Sequence, residues 1–293
     1  MPLPLLLLLL ALPVLRCAVL LPCDAASLVV TTVAGCGAAC SAFQGATPLA
    51  SSLTTPAGLS ASPAGVLYIA DSGAHTVRAL NLSQGAWVGG GWGVPTARAA
   101  GYAEGALTGA ALFRGPLDVA HSRCTGVVYV ADAGNHAIRA LTPVNATSVA
   151  SSLVAGNPSS QGSLDGVGTG ANFNSPQGLA LAPGCALLYV SDANMIRAVN
   201  VTSRRVTTLA GSSTGGTANG IGTAAQFYQP QKLALDATGT LLRFGNYVRR
   251  GARARGAWGR LGDGKPLLLA FTSPPHPAAT HTPLAVRLRP AHH

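Results

Sequence analysis

Three aspartates, Asp71, Asp132 and Asp192, recur 61 and 60 residues apart, each closing a Tyr-x-Ala or Tyr-x-Ser segment ahead of a turn with Gly or Asn. Carboxylates could ligate a metal there. A residue needed once per repeated unit has a simpler use, which is to accept backbone N–H bonds in the turn. A catalytic carboxylate has to occur only once, so repetition favours the structural role. Asp165 to Gly168 begin like a calcium loop, but the further acidic ligands do not follow. His75 and His136 occupy matching places, with Met195 and Tyr247 aligned to them. A place that accepts Met and Tyr is packing space rather than a ligand site. Arg78, Arg139, Arg197 and Arg249 also recur. They are expected to pair with the aspartates or to cover aromatic faces. Nucleophile-elbow, phosphate-loop and dinucleotide fingerprints are absent. The residues thus nominate no catalytic group and no cofactor, and leave metal binding open.

These side chains need a scaffold, and the composition restricts it. Of 293 residues, 48% are hydrophobic and 10% charged, while Gly and Pro number 36 and 20. Long helices do not suit such punctuation, whereas many short strands do. The segments 65–80, 126–141 and 186–199 are copies of one another, and Pro56, Pro116, Pro176 and Pro230 open successive units. Three residues before each proline stands Leu53, Phe113, Phe173 or Phe227. The phenylalanines are expected to be buried packing residues, because a stacking site for a ligand would not accept Leu. Four apolar segments per unit give a four-stranded sheet with two apolar faces, which radial stacking of like sheets would bury. The reading is an all-β propeller.

The pattern D-G-x-G-x-x-A-x-F-x-x-P-x-G-L-A, seen at 165–180, resembles the NHL repeat. Further copies of L-Y-V-x-D, N-H-x-I-R and V-T-T-L-A-G reinforce the likeness over residues 29–250. The resemblance implies four-stranded blades at about 57–89, 116–156 and 177–211, with a partial fourth at 231–250. Phe244 aligns with Asp192 in that reading. Such families usually close with six blades, so the expectation is an open arc or a fragment of a six-bladed ring, with four-bladed closure as the alternative. The segment VTTVAG at 30–35 would then complete the last blade. Residues 251–293 lack the repeat and are expected to form a disordered basic tail without contact to the blades.

The apolar run from Met1, with small residues near Ala25, reads as a signal peptide over 1–25, ahead of a propeller region over 26–250. The sequons at Asn81, Asn145 and Asn200 follow equivalent strands, so the same loop would carry a glycan in three units. Cys36 and Cys40 are close enough to bridge a short loop, whereas nothing in the sequence brings Cys124 to Cys185. The net charge of +10 does not signal nucleic acid. Residues 1–242 hold ten basic and eight acidic side chains, a net of +2, and 243–293 hold nine and one, a net of +8. No membrane span is expected after removal of the signal. The function expected is a secreted or lumenal module binding a protein, peptide or glycan on a propeller face. The alternative is a metal-dependent lyase or hydrolase at the axis, as in enzymes that share this fold.

Overall fold

The computed structural model describes residues 32–35, 47–88, 100–106, 111–144, 149–236, 238–239, 241–247 and 281–287. The chain divides into Met1–Thr32 and Val33–His293, and the account below concerns the second unit. The proposed signal segment, Cys36, Cys40, Asn145 and Arg249 lie outside the described residues.

Alternating apolar residues, cut by Gly and Pro turns, build four antiparallel sheets. The first holds β1 (Pro56–Ala61), β2 (Val66–Asp71), β3 (Thr76–Asn81) and β4 (Ala86–Trp87). The second holds β5 (Gly105–Ala106), β6 (Pro116–His121), β7 (Val128–Asp132), β8 (Ala137–Pro143) and β9 (Val149–Gly156). In the third are β10 (Gly166–Val167), β11 (Pro176–Leu181), β12 (Leu187–Asp192), β13 (Met195–Asn200) and β14 (Arg205–Gly211). The fourth consists of β15 (Leu233–Leu235), β16 (Leu241–Tyr247) and β17 (His281–Arg287). The opening strands stand side by side in the order β1, β6, β11, β15.

Each gap between sheets is a separate hydrophobic core. Tyr68, Ala70 and Val77 of the first sheet meet Phe113, Val119 and Val130 at the second. Tyr129, Ala131 and Ile138 meet Phe173, Leu179 and Val190 across the next gap. Tyr189, Ile196 and Ala198 meet Phe227, Leu233 and Phe244 across the last. Phe113, Phe173 and Phe227 have essentially no exposed surface, so each ring plugs the space between two sheets.

Four features differ from the sequence reading. The second and third sheets gain a short fifth strand, β5 and β10, because the connecting loop docks on the outer edge. Asp165 accepts bonds from the Thr208 N–H and hydroxyl at 2.9 Å and from Arg197 at 2.7 Å, which holds β10 against β14. The turn is therefore a docking device. Second, His281–Arg287 is no free tail: it pairs along its whole length with Leu241–Tyr247, which completes a ladder that β16 would otherwise expose. Third, Phe244 pairs with Leu233 as Val190 pairs with Leu179, so Phe244 takes the place of Val190 and Asn246 the register place of Asp192. Its ring meets Phe227 edge-on at 5.2 Å. Fourth, Thr32–Gly35 forms no strand, and the Gly35 N–H donates to the Pro48 carbonyl.

A disulfide joins Cys124 to Cys185, in the loops that follow β6 and β11, with Cα atoms 6.2 Å apart. Their separation of 61 residues is one repeat, so equivalent loops of adjacent sheets are covalently tied. Replacing both cysteines with serine should lower unfolding free energy by about 2–4 kcal/mol, because the unfolded chain regains the freedom of a long closed loop. Urea denaturation checks this, and a midpoint that neither the substitution nor a reductant moves would contradict the link.

Candidate functional site

The repeated aspartates are wholly buried at the ends of β2, β7 and β12. Their carboxylates accept backbone N–H bonds from the segment that enters the sheet, and Asp132 also accepts the Asn135 side-chain amide of the following turn at 2.8 Å. The N–H groups of Thr54 and Thr55 donate to Asp71 at 3.0 and 2.9 Å, that of Arg114 to Asp132 at 2.8 Å, and that of Asn174 to Asp192 at 2.7 Å. Each aspartate also meets the arginine of the neighbouring strand: Arg78 at 3.6 Å, Arg139 at 3.2 Å and Arg197 at 3.2 Å. Arg139 lies 5.1 Å from the Phe113 ring centre and Arg197 lies 5.3 Å from that of Phe173. One guanidinium therefore satisfies the carboxylate, covers the aromatic plug and bonds loop carbonyls such as Leu112 and Leu164.

Burial pushes the Asp132 carboxyl up to about 6 and that of Asp192 up to about 7, against the pull of hydrogen bonds and arginine. A carboxyl raised on folding lends its stability fully below the unfolded value near 4 and loses it as pH rises through 6 to 7.

The histidines have a different partner. His75 and His136 end short turns with φ of 56° and 51°, and their Nδ1 atoms accept the N–H of Gly115 at 3.0 Å and Ser175 at 3.3 Å. Those donors immediately precede Pro116 and Pro176, so each histidine latches its hairpin to the entering turn of the next sheet. The third hairpin has two residues between Asp192 and Met195, where the first has four between Asp71 and Thr76. Asn194, not Met195, takes the histidine's role there, with Oδ1 accepting the Gln229 N–H at 3.1 Å. Burial, then the nearby Arg114 charge, lowers the His136 pKa. The latch needs neutral imidazole, and a base depressed on folding lends stability that is lost as pH falls below about 6.5.

Departures from the repeat gather along the opening strands. The place filled by Gly58 and Gly178 holds Asp118 in β6 and Lys232 ahead of β15. The Asp118 carboxylate accepts the Leu179 N–H at 2.9 Å and meets Lys232 Nζ at 3.0 Å, so the pair spans from the second sheet to the fourth. Glycine is required beside it, since a Cβ on Gly58 would stand 2.1 Å from the Asp118 carboxylate. Sequence reasoning passed over both residues. The signal was present, in charged residues at a place otherwise kept for glycine.

At the other end of these strands lies a groove of about 510 Å³, walled by Leu59, Val119, Leu179 and Leu235. Ser60, His121, Arg123 and Asp236 add polarity to its lining, and Cys185 reaches it from the disulfide. The His121 ring stacks on Tyr68 with centres 5.4 Å apart, and its Nδ1 is buried without a partner. Burial, then Arg123, lowers its pKa. Among the described residues no three His, Cys, Asp or Glu side chains gather as a metal site, and no helix is long and apolar enough to cross a membrane.

Asn81 and Asn200 end β3 and β13, in equivalent turns. Their side-chain oxygens accept backbone N–H bonds from Ser83 at 3.0 Å and Thr202 at 3.1 Å.

No family model matches the chain. It is 35% identical over 147 residues to NHL repeat-containing protein 2 of Bos taurus, covering 47% of this chain and 19% of the relative. The Homo sapiens protein of that name is 32% identical over 164 residues, covering 53% and 22%. The chain thus spans about a fifth of the length of the curated relatives it matches. Among solved structures it is similar to an auxiliary nutrient binding protein from Bacteroides thetaiotaomicron, at 18% identity and a TM-score of 0.50. That likeness covers 64% of this chain and 44% of the other. Blades of this kind form a repeat-based interaction module. Sequence likeness and sheet architecture agree: the repeating unit of this chain is similar to that of NHL repeat-containing proteins, and it folds as the four-stranded blade of a β-propeller.

Proposed function

We propose that the chain is a secreted or lumenal binding module that holds a peptide segment in the groove of its opening strands. One observation carries this reading: the groove is where the repeat ceases to be repetitive. Ser60 stands where the other sheets have Ala120, Ala180 and Ala234, and Arg123 stands where they have Pro63 and Pro183. His121 and Asp236 likewise have no like counterpart among the blades. Most structural residues recur in this chain, the Asp118–Lys232 pair and the disulfide excepted, so unlike residues sharing one concave surface point to a ligand. Its leucine and valine walls suit apolar side chains, and the imidazole and guanidinium suit backbone and carboxylate groups, while the Asp236 carboxylate holds the Leu241 N–H and the Thr238 hydroxyl of its own turn. A disulfide between loops fits an oxidising compartment, as do sequons in matching exposed turns.

The test is a random peptide display screen on the full chain, made in a secretory host. Enriched peptides should lose most of their binding to Ala234→Trp and to Arg123→Glu, and glycosidase treatment should shift the mass of the secreted chain. A screen without enrichment, or peptides indifferent to both substitutions, overturns the peptide-binding reading; an unmodified or retained chain overturns the secretory one.

A second reading, lyase or hydrolase chemistry in the same groove, rests on His121, a histidine of the lining whose pKa burial lowers. It requires turnover that His121→Ala abolishes.

A further inference from the structure

The groove carries one uncommitted charge. Of its two charged lining residues, Asp236 is engaged in its own turn, where it accepts the Leu241 N–H at 2.9 Å and the Thr238 hydroxyl at 2.6 Å. Arg123, by contrast, has no hydrogen-bond or ion-pair partner among the described residues. Burial and then the Arg123 charge lower the His121 pKa, so the imidazole near that guanidinium is neutral at pH 7. The rest of the lining is mainly aliphatic, and Leu59, at 62% exposure, stands open. Aliphatic walls give the N–H and C=O groups of a threading backbone nothing to bond. A chain end fits them better. Its last residue carries an apolar side chain and a carboxylate on one Cα, and a guanidinium grips a carboxylate with two parallel hydrogen bonds.

We infer that the groove takes the C-terminal residue of a peptide, with the Arg123 guanidinium holding the terminal carboxylate and an apolar last side chain lying on Leu59. The assignment rests on the peptide-binding reading above and adds which part of the peptide enters. The spacing suits it. The Ser60 hydroxyl oxygen accepts the His121 N–H at 3.0 Å, with Leu59 one residue before Ser60 and Arg123 two residues after His121. At roughly 3.3 Å per extended residue, wall and cation stand about 10 Å apart along the strands, which one leucine residue and the long arginine side chain bridge together. An internal acidic residue would bring its flanking peptide bonds onto the same aliphatic walls.

Short synthetic peptide mixtures, random except for a final leucine, test this when made as free acids and as C-terminal amides and titrated into the full chain. The acids should bind about tenfold or more tighter than the amides. Arg123→Gln should erase that preference by weakening the acids alone, and Arg123→Lys should keep part of it. Both variants should keep the wild-type urea midpoint, because the side chain is exposed. Acids and amides bound equally, and both blocked by Ala234→Trp, would leave a peptide groove but overturn the C-terminal assignment. So would a preference for acids that survives Arg123→Gln. Binding of neither form overturns the assignment together with the reading on which it rests. Decanoate bound in place of the peptide acids would mark a lipid-acid site and overturns the assignment too.

Discussion

Phe173→Ala should lower the unfolding free energy by about 3–5 kcal/mol, the range for removing a fully buried aromatic ring from a core that relaxes only in part. The ring has no exposed surface and fills the gap between the second and third sheets. Arg197 lies over it at 5.3 Å, so truncation also strips one face of a buried guanidinium. Each sheet depends on its neighbours to bury its faces. Hydrogen exchange should therefore rise in β7, β8, β11 and β12 together, and not only around residue 173. A urea midpoint equal to the wild type would refute the packing role.

Arg139→Leu should cost a similar 3–5 kcal/mol at neutral pH, because it strands partners that have no water to turn to. Arg139 bonds Asp132 at 3.2 Å, the Leu112 carbonyl at 2.9 Å, and the Ala103 carbonyl and Ser151 hydroxyl at 2.6 Å. Asp132 is itself fully buried. The sign of the pH dependence separates charge from packing. Asp132 already titrates at about 6 with arginine beside it, and losing that positive charge raises it further. In the variant the carboxyl takes up its proton before pH falls through 6 and the stranded charge disappears, so the penalty should shrink towards the acid side. A penalty that is flat between pH 5 and 8 would mean that only the lost packing matters.

Much of the scaffold was legible because it is said several times. Phe113, Phe173 and Phe227 hold fixed places ahead of the prolines, and Asp71, Asp132 and Asp192 hold theirs before the hairpins. Features that break the repeat were harder to read. The third hairpin is two residues shorter than the first, which hid Asn194 behind Met195 in a residue-by-residue alignment. The strand His281–Arg287 contains Pro283 and lies more than thirty residues beyond its partner Leu241–Tyr247. Local propensity argued against it, and only an unfilled ladder edge recruits it. The Asp118–Lys232 pair and the disulfide depend on which blades are neighbours in space. Either could have been suspected, one from a lost glycine and the other from a separation equal to the repeat. The groove residues were legible only as irregularities, since singular residues carry no internal comparison.

The disulfide has a mechanical consequence. Pulled from its two ends, a chain of stacked blades would pay out its length as each sheet peeled away. The Cys124–Cys185 bond sits across a separation of 61 residues, and at roughly 3.3–3.6 Å per extended residue it withholds about 200 Å of contour from the applied force. Tension would pass through the cystine and bypass β7 to β11. In a force-extension record the oxidised chain should rupture short of its full length, and reductant should restore the missing step.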